Sequence, residues 1–457
     1  MNSESYQFGR YPEDAWHTLV HVCKRWRSIV FASPHRLQLQ LLCTNKTPVL
    51  NALDIWPELP IVISGGPGMS KRQEANNIIA ALKQYNRVVK INIEEIPNSF
   101  LERMRAMKME DPFAALTSLR LVSLNYNASA LPDSFLGGSA PRLQTLSLHG
   151  IPFPALPNLL LSTHDLAKLY LWDIPLSKYI SPKAIVTCLS VLTRLQSLHL
   201  RFRSPRSPAE RGNRLVPRLT RVVLSSLTEL YFRGDSEYME DIVAQIDTPL
   251  LSWFKITLLN QLIFNTPLLG LFISRTETSK SPQRADVKFW GWGVEVELYP
   301  LSRNSLHRDD RLSLAILCRP SDWQLSSLAQ VCDSVLSPLP TLERLEIDIK
   351  RSWEDDVENS QWVELLHPFT SIKDLLLRGE SIQHVAPALE QLSGERLTEA
   401  LPALQNLFLH GSRPSKSVEK VIRKFVAARQ LSGRPVAVHQ SEWANSTWQQ
   451  MRWEVDD

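Results

Sequence analysis

The chain has 457 residues, of which 44% are hydrophobic and 21% charged, with a formal net charge of +4. This apolar content is ample for a core, but the length is great for one compact domain, so a repeat array is expected. So small a positive excess excludes bulk attraction to nucleic acid or membrane as an organising force.

The first periodic segment is Trp16 to Phe31. Its apolar residues Trp16, Leu19, Val20, Cys23, Trp26 and Val30 follow the i, i+3, i+4, i+7 spacing of one helical stripe. His17, His21, Lys24, Arg25 and Ser28 lie on the other face. Pro12, Glu13 and Asp14 suit its start, and Pro34 ends it. Leu37, Leu39 and Leu41 then alternate with Gln38 and Gln40, predicting a first strand. A short strand over Pro60 to Ile63, a helix through Ile78, Ile79 and Leu82, a strand over Val88 to Ile93 and a helix carrying Phe100, Leu101 and Met104 continue the rhythm.

From there a repeat is explicit. LxxLxL recurs at Leu116-Leu119-Leu121, Leu143-Leu146-Leu148, Leu166-Leu169-Leu171, Leu195-Leu198-Leu200, Leu342-Leu345-Ile347, Ile372-Leu375-Leu377 and Leu404-Leu407-Leu409. Prolines stand ahead of several copies, at Pro141, Pro340 and Pro402, with looser copies at Pro217 and Pro249, as suits a strand start that needs no backbone donor. Leu219-Val222-Leu224 and Leu227-Leu230-Phe232 are too close to be successive repeats, so one is a strand and the other a connection. Between Val287 and Leu317 the pattern lapses into KFWGWGVEVELY and LSLAILC, which read as strands with a hairpin or an atypical repeat. An amphipathic helix through Val418, Val421, Ile422, Phe425 and Val426 follows. Pro435 to His439 reads as a closing edge strand and Ser441 onward as a tail.

The predicted fold is α/β: a leucine-rich-repeat solenoid, an irregular horseshoe with a parallel sheet on the concave face and helices on the convex face. The Asn or Cys that regularises many such turns is missing after Leu148, which predicts irregular curvature. The expected divisions are 1–36, a truncated helical segment; 37–431, the solenoid; and 432–457, an edge strand and tail.

Chemistry-bearing motifs are scarce. Gly65 to Lys71, GGPGMSK, has Ser70 before Lys71 and Arg72 after it, so it lacks the order of a phosphate-binding loop and reads as a flexible turn. Cys23, Cys43, Cys188, Cys318 and Cys332 form no metal-ligand spacing and read as free thiols, fitting cytosol or nucleus. The greasy run Leu258 to Ile273 is broken by Asn260, Gln261, Asn265 and Pro267 and cannot span a bilayer as a simple helix. No nucleophile elbow or metal-binding His pair appears, so no enzyme, cofactor or metal is expected. The arginine-rich loop Arg201 to Arg214 carries Ser-Pro steps at Ser204 and Ser207. It reads as a solvated loop, or as a segment that phosphorylation would turn towards neutral.

In an LxxLxL strand the leucines face the core, so the interleaved residues face the other side. This places Lys168, Tyr170 and Trp172 in one row, His199 and Arg201 in a second, Tyr231 and Arg233 in a third, and Phe408 and His410 at the far end. Aromatic and arginine side chains carry much interface energy, so this face is the candidate for binding a protein substrate.

Val22-Cys23-Lys24-Arg25-Trp26-Arg27 followed by Ser33-Pro34 resembles the second half of an F-box. The longer run TLVHVCKRWRSIVFASP, LQLQLLC and DIWPELPIVI is similar to fungal F-box and leucine-rich-repeat proteins, a likeness extending over nearly the whole chain. The family's first F-box helix has no counterpart in MNSESYQFGRYPED. The resemblance implies a non-catalytic substrate receptor of a cullin-type ubiquitin ligase, docking on a Skp-type adaptor through Trp16, Leu19, Val20, Cys23, Trp26 and Arg27. The same residues could instead cap the repeat array. The alternative function is a stand-alone interaction scaffold without ligase association.

Overall fold

The fold is described from a computed structural model. It covers residues 22–32, 40–46, 48–55, 58–66, 71–125, 127–175, 180–204, 221–259, 266–276, 282–299, 311–318, 320–336, 341–350, 357–392, 399–411, 414–441 and 449–451. Trp16, Leu19, Val20, Leu37, Leu39, Ser207, Leu219, Pro217, Pro340 and most of the Gly65 to Lys71 loop lie outside the described residues. The chain divides into two compact units, Met1–Leu195 and Gln196–Asp457.

In the first unit the described elements run from helix α1 (Lys24–Ala32) through β1 (Leu41–Thr44), α2 (Val49–Ile55), β2 (Ile61–Gly65), α3 (Arg72–Leu82), β3 (Val88–Ile93) and α4 (Asn98–Ala106). Then come β4 (Ser118–Val122), β5 (Thr145–His149), α5 (Leu156–Leu161), β6 (Lys168–Ile174) and α6 (Pro182–Leu189). Strands β1 to β6 pair in sequence order, all parallel. The leucines hold this register in step: Leu119, Leu146 and Leu169 form one row across β4, β5 and β6, and Leu121, Leu148 and Leu171 another, all buried. A one-residue slip would turn every one of them to the opposite face, so the pattern itself fixes the pairing.

The second unit runs β7 (Ser197–Phe202), β8 (Val222–Val223), β9 (Glu229–Gly234), α7 (Ser236–Val243), β10 (Ile246–Asp247), β11 (Trp253–Leu259), α8 (Pro267–Ile273), β12 (Arg284–Trp290), β13 (Gly293–Tyr299) and β14 (Arg311–Leu317). It continues through α9 (Ser321–Ser334), β15 (Arg344–Ile349), α10 (Asn359–Leu366), β16 (Asp374–Gly379), α11 (Ser381–Gln391), β17 (Asn406–His410), α12 (Lys416–Leu431), β18 (Ala437–Ser441) and β19 (Gln449–Met451). Its sheet is mostly parallel, with one inversion. β7, β9, β11 and β14 are parallel neighbours; β13 and β12 follow antiparallel; β12 then pairs parallel with β15, and β15 to β18 continue parallel. The lapse after Val287 is therefore a three-stranded meander running backwards through the sheet. Gly293 makes the return possible, since a Cβ there would lie 2.4 Å from the Ile316 carbonyl oxygen of β14.

Helices cover the leucine side. Phe272 of α8 meets Phe254 of β11 edge-on at 5.6 Å, and Trp362 of α10 meets Phe289 of β12 at 5.5 Å. Ser181 and Ser415 cap α6 and α12, each accepting a bond from a backbone N–H three residues on.

Several expectations are corrected in detail. The prolines ahead of the repeats are not merely tolerated at a strand start. Leu143 donates to the Ala140 carbonyl, Leu251 to Thr248 and Leu404 to Leu401, so Pro141, Pro249 and Pro402 occupy the second position of a tight turn. There the fixed φ of proline favours the bend. Of the two crowded copies, Leu227-Leu230-Phe232 is the repeat strand β9, while Val222 and Val223 form a two-residue pairing with β10. The closing segment is not an edge: β19 pairs antiparallel outside β18, within the stretch expected to be a tail. Of the first predicted strand, Gln40 is not in a strand and Leu41 opens β1, Leu41–Thr44.

Candidate interaction surface

On α1 the helical stripe is only partly a core face. Val30 is 3% exposed, whereas Trp26 is 48%, Val22 63% and Ile29 56% exposed, and Cys23 and Arg27 are exposed too. Of the described stripe residues Val30 alone is buried, while Trp26 and Cys23 are exposed. Periodicity finds both faces of a helix but cannot say which one meets a core. Trp26 and Ile29 of α1, spaced i, i+3, are exposed apolar residues beside Lys24, Arg25 and Arg27, and Val22, ahead of the helix, is exposed as well.

In the first unit the interleaved residues lie on the face away from the leucines. Lys168 is exposed, and Tyr170 and Trp172 are half-buried. Trp172 packs against Tyr170 and His149, with ring centroids 6.2 and 6.0 Å away. His149 Nε2 is 2.6 Å from the Asp173 carboxylate, and Asp173 takes φ +52°, a left-handed conformation that aspartate tolerates. Trp172 also lines a small apolar pocket with Leu148, Phe153, Leu156 and Leu171, about 20 Å³ and so roomy enough for about one water. The tryptophan thus has a packing role that its sequence position did not reveal.

In the second unit His199 and Tyr231 are neighbours on β7 and β9, as are Arg201 and Arg233. His199 Nε2 lies 2.8 Å from Glu229, whose other oxygen accepts a 2.7 Å bond from Ser197. The His199 ring is 5.5 Å from Tyr231 and stacks at 6.0 Å on Trp253, a residue the sequence reading missed. Phe408 stacks at 4.8 Å on His439 of β18, and His410 is half-buried beside Arg378 in register.

Between these aromatic groups lies a charged mosaic that sequence reasoning also missed. Arg284 donates to Asp286 and, at 2.8 Å, to Glu346, which also accepts from Arg378. Glu297 accepts from Lys288, from the Tyr299 hydroxyl at 2.6 Å and from Arg311. Glu295 accepts from Lys255 at 2.8 Å and from the Ser313 hydroxyl. Asp286, Glu295, Glu297 and Glu346 are all buried. These bonds tie the antiparallel meander to the parallel strands on either side. The cross-strand part of this signal was absent because partners such as Arg284 and Glu346, or Lys255 and Glu295, lie far apart in sequence.

Electrostatically the carboxylates differ. Burial raises the Asp286 pKa, and the neighbouring Glu346 charge adds to this beyond what Arg284 offsets. For Glu297, burial alone would act upward, but hydrogen bonds from Lys288 and Tyr299 and the charges of Lys288 and Arg311 outweigh it and hold the pKa below 4.5. A depressed carboxylate stabilises the fold fully above its unfolded pKa, and the stabilisation is lost as pH falls through the folded value. Glu297→Gln is therefore expected to flatten the loss of stability below pH 4.5, measured by urea denaturation across an acid series. An acid limb as steep as that of wild type would show that Glu297 does not contribute it.

The cysteines are free: Cys23 is exposed and the other four buried, and burial raises the Cys43 and Cys188 thiols to about 11. Among the described residues no group of three or more His, Cys, Asp or Glu is arranged to hold a metal, and no helix is long and apolar enough to cross a membrane. No known family model and no curated protein matches the chain.

Proposed function

We propose that the chain is a leucine-rich-repeat solenoid acting as a non-catalytic protein-recognition subunit, and that it serves as a substrate receptor of a cullin-type ubiquitin ligase. The bond-making chemistry then belongs to the ligase, and this chain supplies two surfaces. α1 docks on a Skp-type adaptor, and the face interleaved with the leucines holds the substrate.

The observation that carries this reading is the exposed pair Trp26 and Ile29 on α1, with Val22 exposed just ahead of the helix. A tryptophan and two aliphatic residues outside the leucine core contribute little to folding, whereas large aromatics at an interface centre carry much of its energy. The resemblance of VCKRWR to the second half of an F-box names the adaptor. The repeated strand and helix order, with aromatic and charged side chains on the open side, supports the substrate role.

Trp26→Ala is expected to leave the unfolding free energy within about 1 kcal/mol of wild type, since the residue is 48% exposed and outside the core. The same substitution should reduce capture of purified Skp-type adaptor at least roughly tenfold, as loss of an interface anchor does. Pull-down and denaturation of both proteins check the pair of outcomes. Absence of adaptor capture by wild type would favour a stand-alone scaffold.

A further inference from the structure

One row of the second unit's sheet differs from the neutralised mosaic beside it. At the N-terminal ends of β11, β14, β12 and β15, and the C-terminal end of β13, register brings together Trp253, Arg311, Tyr299, Arg284 and Arg344 in that order. Neighbouring strands are about 4.8 Å apart, so the row is a short ribbon carrying three arginines. Arg284 and Arg344 lie directly opposite each other, an arrangement of like charges that a sheet disfavours.

The three guanidinium groups are not equally compensated. Arg284 is held by Asp286 and Glu346. Arg311 reaches Glu297 only at 3.4 Å, through one terminal nitrogen, and lies 6.0 Å from the centre of the Trp253 ring. Arg344 forms no ion pair among the described residues; Asp374, opposite it in register, accepts instead from Asn406 at 2.8 Å. The Nε atoms of Arg311 and Arg344 are both buried without a hydrogen-bond partner. Those Nε atoms are closed to a ligand, but Arg311 and Arg344 are only partly buried and the terminal nitrogens of Arg344 form no hydrogen bond among the described residues, so positive charge is left over at this row beside the Trp253 ring.

We infer that this row, Trp253–Arg311–Arg284–Arg344, is the docking site for an extended, carboxylate-rich segment of the protein substrate. The inference rests on the receptor reading and gives its substrate a chemistry. Arg311 and Arg344 stand three strands apart, about 14 Å, with Arg284 already engaged between them. They cannot converge on a single phosphate, but they can each take a separate side-chain carboxylate of a peptide lying across the strands. Trp253 accepts an apolar side chain at one end. A nucleic acid fits less well, because three arginines in one short row offer no continuous basic track for a polyanion.

The test uses the full chain and fluorescently labelled peptides in anisotropy titrations. The probes are a peptide alternating Glu and Ser with one terminal Leu, the same peptide with its serines phosphorylated, a neutral Gln and Ser counterpart, and single-stranded DNA of equal charge. Wild type should prefer the Glu peptide over the Gln peptide by roughly tenfold or more, with affinity falling as salt rises. Arg311→Gln with Arg344→Gln should abolish that preference. Arg344→Gln alone, which disturbs no ion pair, should weaken it while leaving the thermal melt unchanged. Equal binding of the Glu and Gln peptides, unchanged binding by the variants, or tenfold tighter binding of the phosphopeptide or DNA would each overturn the proposal. Adaptor capture reports on α1 and peptide titration on the sheet, so failure of one is distinguishable from failure of the other.

Discussion

Glu346→Ala is expected to destabilise the protein by about 3 to 5 kcal/mol, the range for breaking a buried, hydrogen-bonded ion pair from one side. The carboxylate is 8% exposed and accepts from both Arg284 and Arg378, so its removal takes an acceptor from each. Arg284 keeps Asp286, which places most of the loss at Arg378. Glu346→Gln, which keeps the shape and one acceptor oxygen, should cost less. Chemical denaturation of the two variants decides the matter: a loss under about 1 kcal/mol for Glu346→Ala would mean that the mosaic does not hold the meander to β15.

A loss of similar size is expected from Trp362→Ala, for an unrelated reason. This ring is 1% exposed on α10 and meets Phe289 of β12 edge-on at 5.5 Å. Truncation removes the transfer free energy of a whole indole and leaves a cavity that a helix packed on a sheet cannot collapse, about 3 to 5 kcal/mol. Trp362→Phe should recover part of it. Unfolding midpoints of the two variants, with unchanged denaturant sensitivity, would confirm that the effect lies in the native packing. A loss under about 1 kcal/mol for alanine would show that α10 does not depend on this ring.

Much of the fold was legible because its signal is local. Leucines at period two mark the buried side of a strand, and Leu143, Leu146 and Leu148 carry a whole turn and strand between them. The same local signal supplied the face of Tyr231, Arg233 and Phe408, since those residues alternate with leucine or phenylalanine. What it could not supply was neighbourhood. Val287 and Val296 look like members of ordinary strands, yet nothing in their spacing says that β14 rather than β12 lies beside β11. Trp253 was overlooked because it stands in a loose copy, Leu251-Phe254-Ile256, where phenylalanine and isoleucine replace the repeat's leucines. Glu346 and Arg284 became partners only when the meander placed their strands side by side. The helix stripe on α1 failed differently: its period was right, but burial depends on what the helix meets, and of the described stripe residues only Val30 is buried.

The backward meander also governs the order in which the second unit can assemble. In a simple array each new strand adds to the one just finished, and folding spreads from neighbour to neighbour. Here Trp253 to Leu259 must wait for Arg311 to Leu317 before one side of β11 is paired, and β12 must wait for Arg344 to Ile349. Such distant pairings lengthen the loop to be closed and slow the search. During synthesis β11 is therefore made well before its partner, with its backbone edge open in the meantime. An open strand edge is a template for wrong partners, so this interval is where misassembly and chaperone dependence should concentrate.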